Sequence, residues 1–170
     1  MVTIRLRRAT PDDLDLLQHW YRQPHVLAAT GGGDEEWDLA GDIVATEPWL
    51  ETLVAEDDGR PVGFLQIIDP HLEATHYWGD VEPGQRALDI WIGESTNIGK
   101  GYGRQIMEQA FGRCFADENV WAIIIDPLLS NTNAHGFYER LGFEYVEDRE
   151  FDEDLCRIYR FTRQRWQALY

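Results

Sequence analysis

Residues 86–126 constrain the fold more than any other stretch of the chain. Ala87, Asp89 and Trp91 alternate with Leu88, Ile90 and Ile92, which is the two-residue period of a strand. Gly99-Lys100-Gly101-Tyr102-Gly103 follows. Ile106, Met107, Ala110, Phe111, Cys114 and Phe115 then fall on one broad helical face. Val120 to Ile125 is an unbroken apolar run, as expected of a strand covered on both faces. Strand, helix and strand in this pattern form a βαβ unit, which joins two parallel strands by a right-handed crossover.

The flanking sequence has to be arranged around that pair. Val2 to Arg8 alternates like a strand, with Ile4 and Leu6 apolar. Thr10 is a good N-cap for the helix that follows, with Pro11 at its first position and Asp12 and Asp13 at its positive end. Gly31-Gly32-Gly33 breaks the chain, and a weaker helix is expected from about Glu35 to Thr46. Trp49 to Glu56 and Val62 to Ile68 read as a hairpin turning at Asp57-Asp58-Gly59-Arg60. The segment Asp69 to Gln85 is a long loop, a length more often functional than structural. Asn131 to Leu141 has helical spacing and Gly142 is placed to cap it. Phe143 to Val146 and Leu155 to Phe161 read as antiparallel strands around an acidic turn. The expected class is mixed α/β (α+β). It has a mostly antiparallel sheet, one central parallel pair and flanking helices, in one domain over residues 1–170.

Charge limits the partners. With 31 acidic against 15 basic residues the net charge is -16, so a nucleic-acid backbone is repelled and cations are attracted. No run approaches about 18 uncharged apolar residues, and no basic segment precedes an apolar one at the start. Neither a membrane span nor an export signal is expected. Cys114 and Cys156 are too few for a disulfide framework, so a reducing cytoplasm is the expected home. Cys114 reads as core, and no Ser/His/Asp arrangement suggests a hydrolase. His71, Glu73 and His76 are metal-ligand types, but they lie on an irregular loop without a ligand spacing, and no metal is expected.

The glycine loop opens a helix directly after a strand. Its backbone can approach an anion closely, and the free N–H groups of the first helical turn face that anion. It is not a P-loop: Gly93 is one residue too far from Gly99, and Gly101 follows Lys100 where a Ser or Thr is needed. The dinucleotide pattern also fails, because Gly99, Gly101 and Gly103 are evenly spaced.

Downstream comes Asn131-Thr132-Asn133-Ala134-His135-Gly136-Phe137-Tyr138-Glu139-Arg140-Leu141-Gly142-Phe143. Together with the glycine loop this resembles the GNAT family of N-acetyltransferases, and the order of strands and helices agrees with a GNAT-like fold. Within that family the likeness is to the aminoglycoside 6'-N-acetyltransferases. It rests on Glu82-Pro83-Gly84-Gln85-Arg86-Ala87-Leu88-Asp89, on the loop, and on Asp126-Pro127 and Ser130-Asn131. Ile98 stands where the family's loop has Arg or Gln.

The resemblance implies acetyl-CoA as co-substrate and no metal. It places the pantetheine arm along Asp89 to Gly93. Backbone N–H groups near Trp91 and Ile92 would polarise the thioester carbonyl. Gly99, Lys100, Gly101, Tyr102, Gly103 and Arg104 would hold the pyrophosphate, and Asn131 the cofactor arm. Tyr138 is the implied general acid. Asp89, a carboxylate in an apolar strand, would hold the ammonium and accept its proton. Glu82, Asp126 and Trp78 would line the acceptor site, with Tyr77 beside them. The expected activity is acetyl transfer to a primary amine of a cationic small molecule such as an aminoglycoside, in a ternary complex. The alternatives are a protein N-terminal or lysine acetyltransferase, and a non-catalytic acyl-CoA-binding sensor. A monomer or homodimer is expected.

Overall fold

The apolar run ending at Ile125 lies in the middle of a sheet. A computed structural model describes residues 3–31 and 37–170. The strands are β1 (Ile4–Arg8), β2 (Leu50–Asp57), β3 (Arg60–Ile68), β4 (Gln85–Ile92), β5 (Ala122–Ile125), β6 (Glu144–Phe151) and β7 (Asp154–Thr162). They form one sheet in the order β1-β2-β3-β4-β5-β7-β6. Only the β4–β5 pair is parallel, as the βαβ pattern requires. The other neighbours are antiparallel.

Six helices flank the sheet among the described residues: α1 (Leu14–Tyr21), α2 (Pro24–Thr30), α3 (Leu39–Val44), α4 (Tyr102–Phe115), α5 (Thr132–Leu141) and α6 (Arg163–Leu169). On one face α4 buries Ile106, Met107, Ala110 and Phe111 against Leu53, Leu65, Leu88 and Ile123. On the other, Leu17 and Trp20 of α1, Val26 of α2 and Leu39 of α3 pack with Val54, Phe64 and Trp91. Burying a large apolar side chain contributes roughly 1.5–3 kcal/mol, so both covered faces stabilise the sheet between its helices.

Local chemistry sets the boundaries. Thr10 and Asp13 form a capping box at a single 3-10 turn that leads into α1, and Arg7 binds the same Asp13 at 2.7 Å. The β2–β3 hairpin turns on Asp58 and Gly59, both with positive φ (50° and 77°), as a two-residue hairpin demands. Val2 and the Glu35 start of the second helix lie outside the described residues, as do Gly32 and Gly33; within them that helix runs Leu39–Val44, capped by the Asp38 side chain.

Three expectations need correcting. The acidic stretch from Glu144 is not a turn. It is edge strand β6, and only Asp152 and Glu153 turn the chain. Every residue of β6 except Phe151 is exposed, so its charges stay solvated and deter pairing with another chain. Helix α2 was not anticipated, although Pro24 starts it and Gly31, at φ 90°, ends it. Nor was α6, which Thr162 caps by accepting the Arg165 N–H at 3.2 Å.

β4 pairs with β5 only from Gln85 to Ala87, but continues to Ile92. The two strands therefore part, and one edge of β4 is left without a strand beyond Ala87.

Candidate active site

The phase of β4 follows from one bond. Gly93 N–H donates to Val62 C=O at 3.0 Å. With the register Gly63↔Ile92, this directs the backbone groups of Asp89 and Trp91 to β3. Those of Ile90 and Ile92, and the Leu88 C=O, point into the cleft between β4 and β5, while the Leu88 N–H closes the ladder that pairs Ala87 with Ile124. Of the two amides expected to polarise a thioester, the Ile92 N–H faces the cleft. The Trp91 N–H belongs to the β3 ladder, so Trp91 contributes its side chain only.

Side chains alternate the other way. Asp89 and Trp91 face the α1–α3 side and a cavity of about 440 Å³. Trp91 is stacked on Phe64 with centroids 3.8 Å apart, and its buried Nε1 has no hydrogen-bond partner among the described residues. Asp42, Glu73, Asp89, Asp126 and Asp154 all line the cavity, and among the described residues lining it there is no lysine or arginine. Trp37, Trp49, Trp78 and Tyr77 add aromatic walls.

Asp89 makes no hydrogen bond among the described residues. Arg86, on the same strand, is paired with Asp69 at 3.0 Å and Asp117 at 3.5 Å. Burial, then the Asp42 carboxylate, pushes the Asp89 pKa up to about 6. Asp126, at the end of β5, is pushed well above its ordinary value by burial and then by Asp89. It accepts the Tyr77 hydroxyl at 2.9 Å, which works in the opposite direction. Asp42 accepts Trp37 Nε1–H at 2.8 Å and Gln66 Nε2–H at 2.7 Å, both on Oδ2.

Tyr138 on α5 is 9% exposed and lines the same cavity. Its hydroxyl has no hydrogen-bond partner among the described residues. Burial, then Asp89 and Asp126, raises its pKa, so the phenol is a protonated donor at neutral pH. Asn131 also lines the cavity, but its carbonyl oxygen is used as the α5 N-cap, accepting Ala134 N–H at 3.3 Å. Cys156 lines the cavity with its pKa pushed up to about 12, first by burial, so it is a thiol and not a thiolate nucleophile.

Glu82 is not brought to the cavity: it is exposed and does not line it. Trp78 does, held edge-on to Phe151 at 5.5 Å while Tyr77 stacks on the same ring at 4.6 Å. Glu73 is drawn in from the long loop, where it accepts the backbone N–H groups of Thr75 (2.7 Å) and Tyr77 (3.0 Å). No group of three metal-ligating side chains comes together among the described residues.

The glycine loop lies at the start of α4. Gly99 and Gly101 have φ of 80° and 84°, and a Cβ at either would meet nothing within 4 Å. Glycine is needed there for backbone direction, and the outer face of the loop stays clear. Gly101 is the α4 N-cap with no side-chain cap, so the first-turn N–H groups of Tyr102, Gly103 and Arg104 are open to an anion. The side chains contribute less. Tyr102 is turned inward to Asp57 at 2.8 Å, Arg104 is paired with Glu108 at 2.7 Å, and Lys100 donates to Asn97 at 3.2 Å. Phe137 of α5 packs on Gly103, where a Cβ would lie 3.3 Å from the ring. The cradle, the free β4 edge and the acidic cavity are thus adjoining parts of one site, a fit for a long anionic thioester meeting a cationic amine.

Asp42, Asp154, Trp37 and Trp49 carry no signal of their own in the sequence as acceptor-site acids or walls, and Glu73 reads there only as a metal-ligand type. They come from separate elements and share no spacing. The overall excess of acid was the one sequence signal pointing to them.

Comparison with known proteins agrees with this geometry. A family model described as an acetyltransferase (GNAT) domain matches residues 9–151. The aminoglycoside N(6')-acetyltransferase type 1 of Klebsiella pneumoniae is 28% identical over 152 residues, covering 84% of this chain and 74% of that protein. The N-hydroxyputrescine acetyltransferase of Acinetobacter baumannii is 22% identical over 165 residues, covering 92% and 76%. The structure of AAC(6')-Ib in complex with ribostamycin and coenzyme A superposes with a TM-score of 0.87 at 25% identity, covering 98% of this chain and 97% of that one. With a family match over most of its length, the chain belongs to the GNAT family of N-acetyltransferases.

Proposed function

We propose that the protein moves the acetyl group of acetyl-CoA to a primary amine of an aminoglycoside, the 6'-amine by likeness to relatives named for that position, by direct transfer in a ternary complex. The observation that carries the acceptor is the cavity beside β4, with five carboxylates, aromatic walls and no basic side chain among the described residues lining it. Carboxylates hold ammonium groups, and Trp faces suit the flat sides of sugar rings. Its volume is in the range of small-molecule sites. Relatives named for aminoglycoside acetylation support the same reading.

The roles follow from placement. The first-turn amides of α4 and the loop from Gly99 hold the pyrophosphate. The open backbone groups of Ile90 and the Leu88 C=O hold the pantetheine arm, with the Ile92 N–H toward the thioester oxygen. Asp89 binds the ammonium and takes its proton. The amine nitrogen then forms the C–N bond as the C–S bond breaks; Tyr138 protonates the leaving thiolate and is reprotonated by the second proton that the new amide nitrogen sheds. Cys156 and Cys114, both raised to about 12, take no acetyl group. Acetyl-CoA as the donor also fits a cytoplasmic site of action.

Thiol-release kinetics with acetyl-CoA and aminoglycosides, polyamines or short peptides test the proposal. Turnover with aminoglycosides at the highest kcat/KM is expected. Turnover with peptides alone would transfer the protein to the N-terminal or lysine class, and acetyl-CoA binding with no transfer would make it a sensor.

A further inference from the structure

His25 takes no part in the proposed transfer, yet it bonds to the strand that carries it. Its Nε2 lies 2.8 Å from the Ile92 carbonyl oxygen. A carbonyl only accepts, so Nε2 bears the proton. In a trans peptide the C=O and the following N–H point opposite ways. Gly93 N–H is directed to Val62 of β3, so the Ile92 C=O is directed into the cleft that β5 vacates. His25 therefore reaches the free edge of β4 where the cofactor arm is proposed to lie.

That bond joins two binding regions. His25 is on α2, whose C-terminal residues Ala29 and Thr30 line the acceptor cavity. Val26, the next residue, is fully buried in the cluster that holds Trp91. The end of β4 is gripped a second time by Trp20. A Cβ on Gly93 would lie 2.1 Å from that indole, and its Nε1–H donates to Glu94 at 3.2 Å.

We propose that His25 is a positioning residue. By donating to Ile92 C=O it fixes the cofactor edge of β4 and couples that edge to α2, so that occupancy of the cofactor cleft is felt in the acceptor cavity. This rests on the reading that acetyl-CoA lies along β4.

The test compares wild type, His25→Ala and His25→Gln, since the Gln carboxamide can carry an N–H to nearly the position of Nε2. Calorimetry gives the acetyl-CoA Kd and the kanamycin Kd with and without CoA; kinetics give KM and kcat. In the wild type, CoA is expected to tighten kanamycin binding. His25→Ala is expected to weaken acetyl-CoA binding by up to about tenfold, the worth of one hydrogen bond. It should raise the acetyl-CoA KM more than it lowers kcat and abolish the CoA-dependent tightening. His25→Gln should restore most of both. A folded His25→Ala protein with unchanged acetyl-CoA affinity and unchanged coupling overturns the proposal, as does a wild type without coupling. If His25→Ala does not fold, NMR of ¹⁵N-histidine-labelled wild type decides. The His25 Nε2–H signal must be present and must shift on adding acetyl-CoA; an unmoved signal overturns the proposal. A wild type that fails to bind acetyl-CoA at all overturns the functional reading itself.

Discussion

Asp89 carries a cost that its chemistry explains. It lies on a strand otherwise filled with apolar side chains, with no hydrogen-bond partner among the described residues, and its pKa is raised from 3.8 to about 6. The folded state therefore holds this proton more tightly than the unfolded chain. Its contribution to stability is fully present below about pH 4 and is lost as pH rises through about 6. At roughly 1.4 kcal/mol per pKa unit, the penalty at neutral pH is of the order of 3 kcal/mol. Asp89→Asn is expected to melt at a higher temperature than wild type at pH 8, with a smaller difference at pH 4. It should also lose about a hundredfold or more in kcat/KM. The wild-type kcat/KM should fall as pH drops through about 6, when Asp89 takes up a proton. Tyr138→Phe is a complementary case. Its hydroxyl has no hydrogen-bond partner among the described residues, so melting should be unchanged while kcat drops by about 10²–10⁴. Both residues were legible in the sequence, one as a carboxylate in an apolar strand and the other through the family pattern. Asp42 and His25 were not, because each acts across the fold from a different element.

At the scale of elements, the parting of β4 and β5 creates the site. The βαβ pattern showed the parallel pair, but not that the pairing would end at Ala87. Pairing length depends on how α4, α5 and the long loop pack, and hydropathy period carries no such information. Helices α2 and α6 are only seven residues each, too short for a periodic signal, and in α2 Val26 is the one buried residue. The acidic stretch misled because charges usually mark turns, whereas an exposed edge strand carries them equally well. Gly93 shows how closely the layers meet. Gly93→Ala drives a methyl into the Trp20 indole, so a loss of about 1–3 kcal/mol in unfolding free energy is expected. Acetyl-CoA should bind more weakly to any protein that folds. Denaturant melts and calorimetry check this.

Over the whole molecule, the net charge of -16 and the five cavity carboxylates act in one direction. They draw a polycation toward the cavity from beyond contact distance. The effect is screened as the Debye length falls from about 30 Å at 0.01 M salt to about 8 Å at 0.15 M. The kcat/KM for an aminoglycoside should fall steeply over that range, while the acetyl-CoA KM should not rise with it, because the co-substrate is itself an anion. Flat kinetics with salt would mean that the acidity serves solubility alone. The central claim is that an amine bound and deprotonated by Asp89 receives acetyl directly from acetyl-CoA. Its most direct measurement pairs two aminoglycosides of similar charge and shape, one with an amine at the 6' position and one with a hydroxyl there. Thiol release is followed, and the products are mapped by NMR. The account predicts stoichiometric N-acetylation of the 6'-amine in the first and no transfer to the second. Equal transfer to both, or none to either while acetyl-CoA binds, would contradict it.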